Sequence, residues 1–219
     1  MNLTWWSKKI QLGCFFLWLL AFWIAVTVNF SPIYYYFVYQ NDLGAKIGLS
    51  NGELISQYHQ LMAYLNFPWI SSLNLKIKMS ANGLSHFADV KQLFILDYVC
   101  LAVTSFVAVK EVYEMHKNNA WWQLYQPVCY ILAVVLGIFT IAILDFSDFF
   151  ISFHQLLFRN QNWVFDPKTD PIIKVLPESF FTVMFVFFFI LFLGSLFWCL
   201  IISRKNLLKK TGPESKIRF

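Results

Sequence analysis

Four long apolar segments, each nearly free of charged residues, constrain the fold of this 219-residue chain more than any other feature. A helix needs about 20 apolar residues to cross roughly 30 Å of hydrocarbon at about 1.5 Å per residue. We therefore predict four transmembrane helices over about residues 10–30, 92–113, 120–144 and 179–203. Only 13% of the residues are charged, whereas a soluble domain carries about 25%, so much of the surface must face lipid.

The predicted fold class is a membrane all-α protein, with one membrane domain over residues 1–219. We expect a four-transmembrane-helix bundle with a small extracellular cap of short helices and a candidate strand. The first apolar segment is too long for the apolar region of a signal peptide and lacks a small-residue cleavage site, so we expect it to remain as a helix.

Basic residues at the ends of the apolar segments predict the orientation. Lys8 and Lys9 precede the first segment, and further basic residues follow the fourth: Arg204, Lys205, Lys209, Lys210, Lys216 and Arg218. Cytoplasmic ends of spanning helices carry such residues, so both termini are predicted to be cytoplasmic. Segments of about 31–91 and 145–178 are then extracellular. Because the basic residues flank spans, the net charge of +5 does not indicate nucleic-acid binding.

The cap segments contain recognisable short elements. In GLSNGELISQYHQLMAYLNF, Ser50 is a predicted N-cap with Glu53 three residues later, which indicates a helix. The segment SSLNLKIKMS alternates apolar and polar residues, which predicts a strand with Leu73, Leu75, Ile77 and Met79 on one face. The segment beginning DFSDFFISFHQLLF has phenylalanines at helical spacing and predicts an amphipathic helix at the membrane interface.

His86 and His154 are the strongest candidates for chemistry. His86 lies shortly before the second span and His154 about ten residues after the third, so the topology brings both to the outer membrane boundary. Two histidines that meet there suit proton transfer, because the imidazole pKa lies near the operating pH. The alternative is two independent structural histidines, the interpretation we prefer for His59. His116 is interpreted as a cytoplasmic surface residue.

Other polar residues leave further alternatives open. His86, Asp89 and His154 have the ligand types of a zinc site, but there is no HExxH motif and no CxxC pair. Asp97 within the second span is either functional or a carboxylate favoured by the dipole near a helix N-terminus. No phosphate-binding loop, dinucleotide glycine pattern or GxSxG motif occurs, so no cofactor is predicted.

Three segments resemble a known family. They are HFADVK before the second span, FHQLLFRNQNWVFDPKTDPIIKVLPESFF between the third and fourth spans, and GLSNGELISQYHQLMAYLN in the first cap segment. Together they are similar to the lipoprotein intramolecular transacylases of Gram-positive bacteria, over nearly the whole chain. The resemblance implies four spanning helices, an extracellular cap and two catalytic histidines at the boundary, which fall on His86 and His154.

The reaction implied by the resemblance moves the sn-2 acyl chain of a diacylglyceryl-cysteine lipoprotein onto the α-amine of its N-terminal cysteine. The expected location is the bacterial cell membrane, with a diacylated lipoprotein as substrate and membrane lipids around it. We expect Asp89 to orient one imidazole, and Asn162 or a backbone amide near Trp163 to bind the oxyanion. Substrate-wall candidates are Tyr34, Tyr35, Trp163 and Phe165, and loop-capping candidates are Asp166 and Asp170.

Two other classes of function remain compatible with the sequence. A non-enzymatic accessory or assembly protein explains the aromatic spans but gives no reason for two boundary histidines. A metal-dependent membrane hydrolase requires ligands beyond the two histidines. The transacylase hypothesis needs neither a metal ion nor a serine or cysteine nucleophile, because two histidines can supply the base and the acid.

Overall fold

The structure is a computed structural model that describes residues 3–211, and every regular element in this range is a helix. The all-α fold class is therefore confirmed for these residues, while Lys216 and Arg218 lie outside them. Seven α-helices follow one another: α1 (Leu3–Val28), α2 (Pro32–Gln40), α3 (Asn51–Asn66), α4 (Ala81–Lys117), α5 (Tyr125–Leu144), α6 (Phe146–Leu157) and α7 (Glu178–Thr211). Short 3₁₀ turns occupy Ala45–Ile47, Trp121–Leu124 and Pro171–Lys174.

Four helical stretches are long and apolar enough to cross a membrane: Lys8–Gln40, Ala81–Lys117, Trp121–Leu144 and Glu178–Thr211. Each predicted span overlaps one of them. Apolar side chains such as Val103 and Phe106 of α4 are 69% and 79% exposed, which supplies the surface that lipid would cover. Helix α4 has 37 residues, and about 20 suffice to cross the hydrocarbon, so part of this helix extends beyond it.

The described residues divide into two compact units. The first consists of residues 3–23, 99–144 and 188–211, and the second of residues 24–98 and 145–187. In the first unit, Trp18 Nε1 donates to Ser105 Oγ at 3.0 Å. Lys8 Nζ lies 2.5 Å from Oε1 of the buried Glu111. These two contacts join α1 to α4 within the unit.

The second unit contains the cap helices and a core of its own. Tyr34 of α2 stacks on Tyr58 of α3 with ring centroids 3.9 Å apart, and both side chains are buried. Helix α3 begins with a capping box, in which Ser50 Oγ accepts from the Glu53 N–H and the Glu53 carboxylate accepts from the Ser50 N–H. The helix predicted from Ser50 and Glu53 is confirmed.

The strand predicted over residues 71–80 is wrong, because this segment is irregular and no strand occurs among residues 3–211. Its alternating apolar residues are still used, since Ile77 is buried and Leu75 packs against the core. The Lys76 N–H, which a sheet would pair with a neighbouring strand, instead donates to Gln57 Oε1 at 2.5 Å. A buried side chain of α3 thus replaces the missing strand partner.

Candidate active site

Two histidines from distant parts of the chain lie together in the second unit. His86 is in the second turn of α4, and His154 is near the C-terminal end of α6. Their ring centroids are 5.9 Å apart, with the ring planes at 37°. At this separation both imidazoles can contact the atoms of a single reacting group, as an acid and base pair must.

Among residues 3–211, six aromatic rings contact the two imidazoles: Phe87, Phe150, Phe153, Phe158, Trp163 and Phe165. Phe158 contacts both, with centroids 4.9 Å from His86 and 5.7 Å from His154. Phe165 lies 5.5 Å from His86, and Trp163 lies 5.1 Å from His154. The structure therefore brings two of the four predicted substrate-wall residues, Trp163 and Phe165, beside the histidines. Sequence reasoning missed Phe158, which is buried at the C-terminal end of α6.

A main-chain hydrogen bond fixes the orientation of His154. Its Nδ1 lies 2.8 Å from the carbonyl oxygen of Phe150, one turn earlier on α6. A carbonyl only accepts, so Nδ1 carries the proton and Nε2 presents its lone pair. Burial lowers the pKa of His154 below its ordinary value of 6.5, although the bond to Phe150 acts to raise it. The ring is therefore neutral at pH 7 and able to accept a proton at Nε2.

His86 is more deeply enclosed than His154. Its side chain is 7% exposed, and its buried Nδ1 has no hydrogen-bond partner within residues 3–211. Leaving a buried polar group unpaired costs about 1–3 kcal/mol, and native structures keep few such groups. An unsatisfied imidazole nitrogen beside a second histidine is a feature that function explains better than stability does.

Helix α6 is held by polar and aromatic contacts at its first turns. Asp145 Oδ1 caps the helix by accepting from the Asp148 N–H at 3.0 Å. Phe149 and Phe153 then pack on Phe185 of α7, at centroid distances of 5.3 and 5.2 Å. The amphipathic helix predicted for this segment is confirmed, and its aromatic contacts fix the element that carries the second histidine.

The N-terminus of α4 is fixed by a carboxylate from the loop before α7. Asp170 is 3% exposed, and its Oδ1 accepts from the Ser80 N–H at 2.7 Å while Thr169 Oγ1 donates to its Oδ2. Burial acts to raise the pKa of Asp170, but these hydrogen bonds outweigh it and lower the pKa, so the group is ionised. A Cβ on Gly83 would lie 2.5 Å from Asp170 Oδ1, so only glycine fits there.

Asp170 does not cap its own 3₁₀ turn with its side chain, as a loop-capping role would require. It instead accepts from the N–H of Ser80, 90 positions earlier, and the Ser80 hydroxyl caps α4 by accepting from the Gly83 N–H. Asp166 has the local capping role expected of it, because its Oδ1 accepts from the Lys168 N–H at 2.9 Å.

Asp89, predicted to orient an imidazole, makes no hydrogen bond to either histidine within the described residues. Its Oδ2 accepts from Asn160 Nδ2 at 2.9 Å. The backbone N–H of Asn162 donates to Asn160 Oδ1, and Trp163 Nε1 donates to the Asn160 carbonyl. Asn160 thus joins α4 to the turn that carries Trp163. Sequence reasoning missed it, although an asparagine that bonds the backbone two residues on is a known turn pattern.

Asn162, the predicted oxyanion ligand, lies in the same turn. Its Nδ2 donates to Ser85 Oγ at 3.2 Å, and Ser85 directly precedes His86 in the chain. An amide nitrogen carries two protons, so one donor remains after this bond.

The two tyrosines predicted as substrate walls lie elsewhere. Tyr34 is 1% exposed and belongs to the core of the second unit. The Tyr35 hydroxyl lies 2.6 Å from His59 Nε2, which gives that histidine a structural partner. No hydrogen bond or ring contact joins either tyrosine to His86 or His154 in the described range. The segment SPIYYYF resembles the aromatic residues that anchor helices at a membrane interface. In α2, however, Tyr34 points into the core of the second unit.

The proposed zinc ligands do not assemble. Among residues 3–211, no group of three histidine, cysteine, aspartate or glutamate side chains is placed to hold a metal ion. Asp97 has a buried Oδ2 without a hydrogen-bond partner in this range.

Comparison with known proteins decides the family. The model of the family described as lipoprotein intramolecular transacylase Lit matches residues 9–181. The chain belongs to the Lit family. None of the curated proteins compared with it matches.

Solved structures of Lit from Bacillus cereus have the same fold as this Lit family member. One is 26% identical, covers 93% of this chain and 96% of its own, and superimposes with a TM-score of 0.83. A variant of that enzyme with a histidine-to-alanine mutation gives a TM-score of 0.75 at 24% identity, covering 95% and 99% of the two chains. The B. cereus protein is described as membrane-integral, in agreement with four membrane-spanning helices here.

Proposed function

We propose that this chain moves the sn-2 acyl group of a diacylglyceryl-cysteine lipoprotein onto the α-amine of the same cysteine and so makes a lyso-form lipoprotein. The observation that carries the proposal is the 5.9 Å separation of the His86 and His154 rings inside a wall of aromatic residues. Membership of the Lit family supports acyl transfer on a lipoprotein as the general activity.

His154 is the general base in this proposal. Its Nε2 takes a proton from the α-ammonium of the substrate cysteine, because Nδ1 is already committed to the Phe150 carbonyl. The amine nitrogen then attacks the ester carbonyl, and a C–N bond forms as the carbonyl oxygen becomes an oxyanion. The lowered pKa of His154 keeps the base neutral and ready at pH 7.

His86 is the general acid. It gives a proton to the sn-2 oxygen as the C–O bond to glycerol breaks, which leaves an amide and a free hydroxyl. The α-ammonium loses two protons in all, both through His154: the first leaves to solvent, and the second passes to His86 and replaces the one given to the sn-2 oxygen. One proton is therefore released overall, and both rings end as they began. The nearness of the two rings supports the transfer from His154 to His86.

The remaining needs of the reaction are modest. Forming an amide from an ester is downhill, so no nucleotide is required. Donor and acceptor sit on one substrate, which replaces a bimolecular encounter and is worth up to about 7–11 kcal/mol when the geometry is right. We assign the oxyanion to the second proton of Asn162 Nδ2, whose first proton is held by Ser85.

We further propose that the chain lies in the cell membrane with both termini in the cytoplasm and the histidine pair at the extracellular face. The support is the distribution of cations, since Lys8 precedes the first apolar stretch and Lys209 and Lys210 end α7. Such residues favour the cytoplasmic side.

The test is mass spectrometry of N-terminal lipopeptides from cells that lack this protein and are complemented with variants. Wild type should place one acyl chain on the cysteine nitrogen, and His86→Asn or His154→Asn should abolish it. His59→Asn is the matched control, because this exposed histidine bonds to Tyr35 and should leave the product unchanged. Normal product with both site variants would indicate an accessory protein, and loss with a chelator would indicate a metal-dependent hydrolase.

A further inference from the structure

A groove with both polar and apolar lining residues lies beside the histidine pair. It has a volume of about 410 Å³ and is formed by the end of α6 and the turn that follows. Phe158 and Trp163 line it, and the same two rings contact His154. Phe158 and Trp163 therefore lie between the His154 imidazole and the groove. A substrate bound at the histidines could therefore extend past Phe158 and Trp163 into this groove.

Three long polar side chains in the groove are not used by the fold. Gln155, Arg159 and Gln161 line it, and their side chains make no hydrogen bond or salt bridge within residues 3–211. Asn160 between them, by contrast, is fully engaged with Asp89 and the turn. The groove thus offers one guanidinium with five donors and two amides that both donate and accept.

This chemistry selects among the parts of a diacylated lipoprotein. An acyl chain would leave these donors and acceptors unpaired, which costs free energy. The α-ammonium group would be repelled by Arg159. A polypeptide backbone offers carbonyl oxygens to the guanidinium and both partners to the glutamines. Polypeptide is also the part of the substrate that continues away from the lipidated cysteine.

We propose that this groove is a subsite for the first few peptide residues after the lipidated cysteine, with Arg159 holding their backbone carbonyls. The proposal rests on the transacylase function and adds a specificity determinant to it. The enzyme then binds the peptide part of its substrate as well as the lipid part. Binding of the peptide positions the cysteine amine near His154. A free diacylglyceryl-cysteine should be a poorer substrate, because it lacks the part that fills the groove.

The test uses the full-length protein in neutral phospholipid bicelles and two substrates. One is diacylglyceryl-cysteine amide, and the other carries about eight further residues, enough to fill the groove on the spacing of an extended chain. Wild type should show a KM about tenfold lower for the long substrate. Arg159→Gln should raise the KM for the long substrate about tenfold. The KM values of this variant for the long and the short substrate should therefore be closer to each other than those of wild type. Lys168→Gln, another exposed cation of the same loop, is the matched control and should keep the wild-type preference.

The outcomes separate the two proposals. Equal KM values of wild type for both substrates, or an equal effect of Arg159→Gln on both, would overturn the peptide subsite while leaving the transacylase intact. A preference that appears only when anionic phospholipid is added would also overturn it and assign Arg159 to a phosphate headgroup. Failure of wild type to convert either substrate would instead contradict the proposed function. The comparison of substrates on wild type needs no variant, so a misfolded variant does not block the test.

Discussion

The Nδ1 atom of His154 lies 2.8 Å from the carbonyl oxygen of Phe150, so the backbone of α6 selects the tautomer of this histidine. In many enzymes a carboxylate orients the catalytic imidazole. Here a carbonyl does so without adding a charge, and the pKa of His154 stays below 6.5 because burial is not offset by an acidic partner. The helix thus holds a neutral imidazole with its Nε2 lone pair available, which is what the proposed general base requires.

The first prediction concerns pH. The value of kcat/KM should rise as pH increases through the lowered pKa of His154, with a midpoint below 6.5, because only the neutral ring accepts the proton. Below that pKa, protonation of Nε2 removes the base. Lipopeptide conversion measured from about pH 4.5 to 8 gives the profile. The His59→Asn variant should show the same acidic limb, and a midpoint above 6.5 would contradict the assignment.

The second prediction concerns Asp89. Asp89→Asn should keep activity within about threefold, because the amide oxygen still accepts the bond from Asn160. Asp89→Leu removes the acceptor and should lower kcat by about tenfold through a loosened turn. A carboxylate that oriented an imidazole would behave differently, since replacing it by asparagine costs about 10⁴-fold in a Ser-His-Asp triad. A loss of that size in Asp89→Asn would restore the role predicted from the sequence.

Much of the fold and half of the site follow from the sequence by simple physics. Spanning helices are predictable because a helix that crosses the hydrocarbon must be long and apolar. The order of the spans then predicts that His86 and His154 lie at the same membrane boundary, and this prediction requires no information on side-chain packing. The α3 helix is predictable because the Ser50 and Glu53 capping box is purely local.

The features that sequence reasoning missed share one physical cause, which is contact between residues far apart in the chain. Apolar and polar residues do alternate around Ile77. The side chain of Gln57, however, accepts the Lys76 N–H that a neighbouring strand would otherwise pair, and nothing in the local sequence reveals this contact. Asp89 is close to His86 in sequence, yet its partner is Asn160, 71 positions later. Tyr34 is amphipathic, and its burial follows from packing on Tyr58 and Phe180, which lie far from it in the chain.

The third prediction concerns the contact between Gly83 and Asp170. Gly83→Ala places a Cβ 2.5 Å from Asp170 Oδ1, which cannot move freely because Ser80 holds it. Overpacking of this kind costs about 1–3 kcal/mol and should lower the Tm by several degrees. Thermal unfolding in detergent measures it. Gly52→Ala is the control, since nothing lies within 4 Å of its Cβ position and the substitution should leave the Tm close to wild type. Equal Tm values for the two variants would contradict the steric argument.

The fourth prediction concerns orientation and uses a variant without the native cysteines, which are Cys14, Cys100, Cys129 and Cys199. Gln161→Cys in this background should react with a membrane-impermeant maleimide in intact cells, because the groove is proposed to face outwards. Asn119→Cys, in the turn between α4 and α5, should react only after the membrane is permeabilised. Both residues are exposed, so access across the membrane and not burial decides the result. The reverse labelling pattern would invert the proposed topology.

The last prediction concerns the ion pair between Lys8 and Glu111. Glu111 is 1% exposed, so Lys8→Met leaves its carboxylate buried with Glu114 as a second like charge nearby. Breaking a fully buried pair costs about 3–5 kcal/mol, and the cost should be smaller here because the Lys8 side chain is 30% exposed. The double variant Lys8→Met with Glu111→Met removes both charges and should recover most of the lost Tm, since apolar replacements of buried pairs are often neutral. If the Tm loss of the double variant equals the sum of the losses of Lys8→Met and Glu111→Met, the two charges do not stabilise one another.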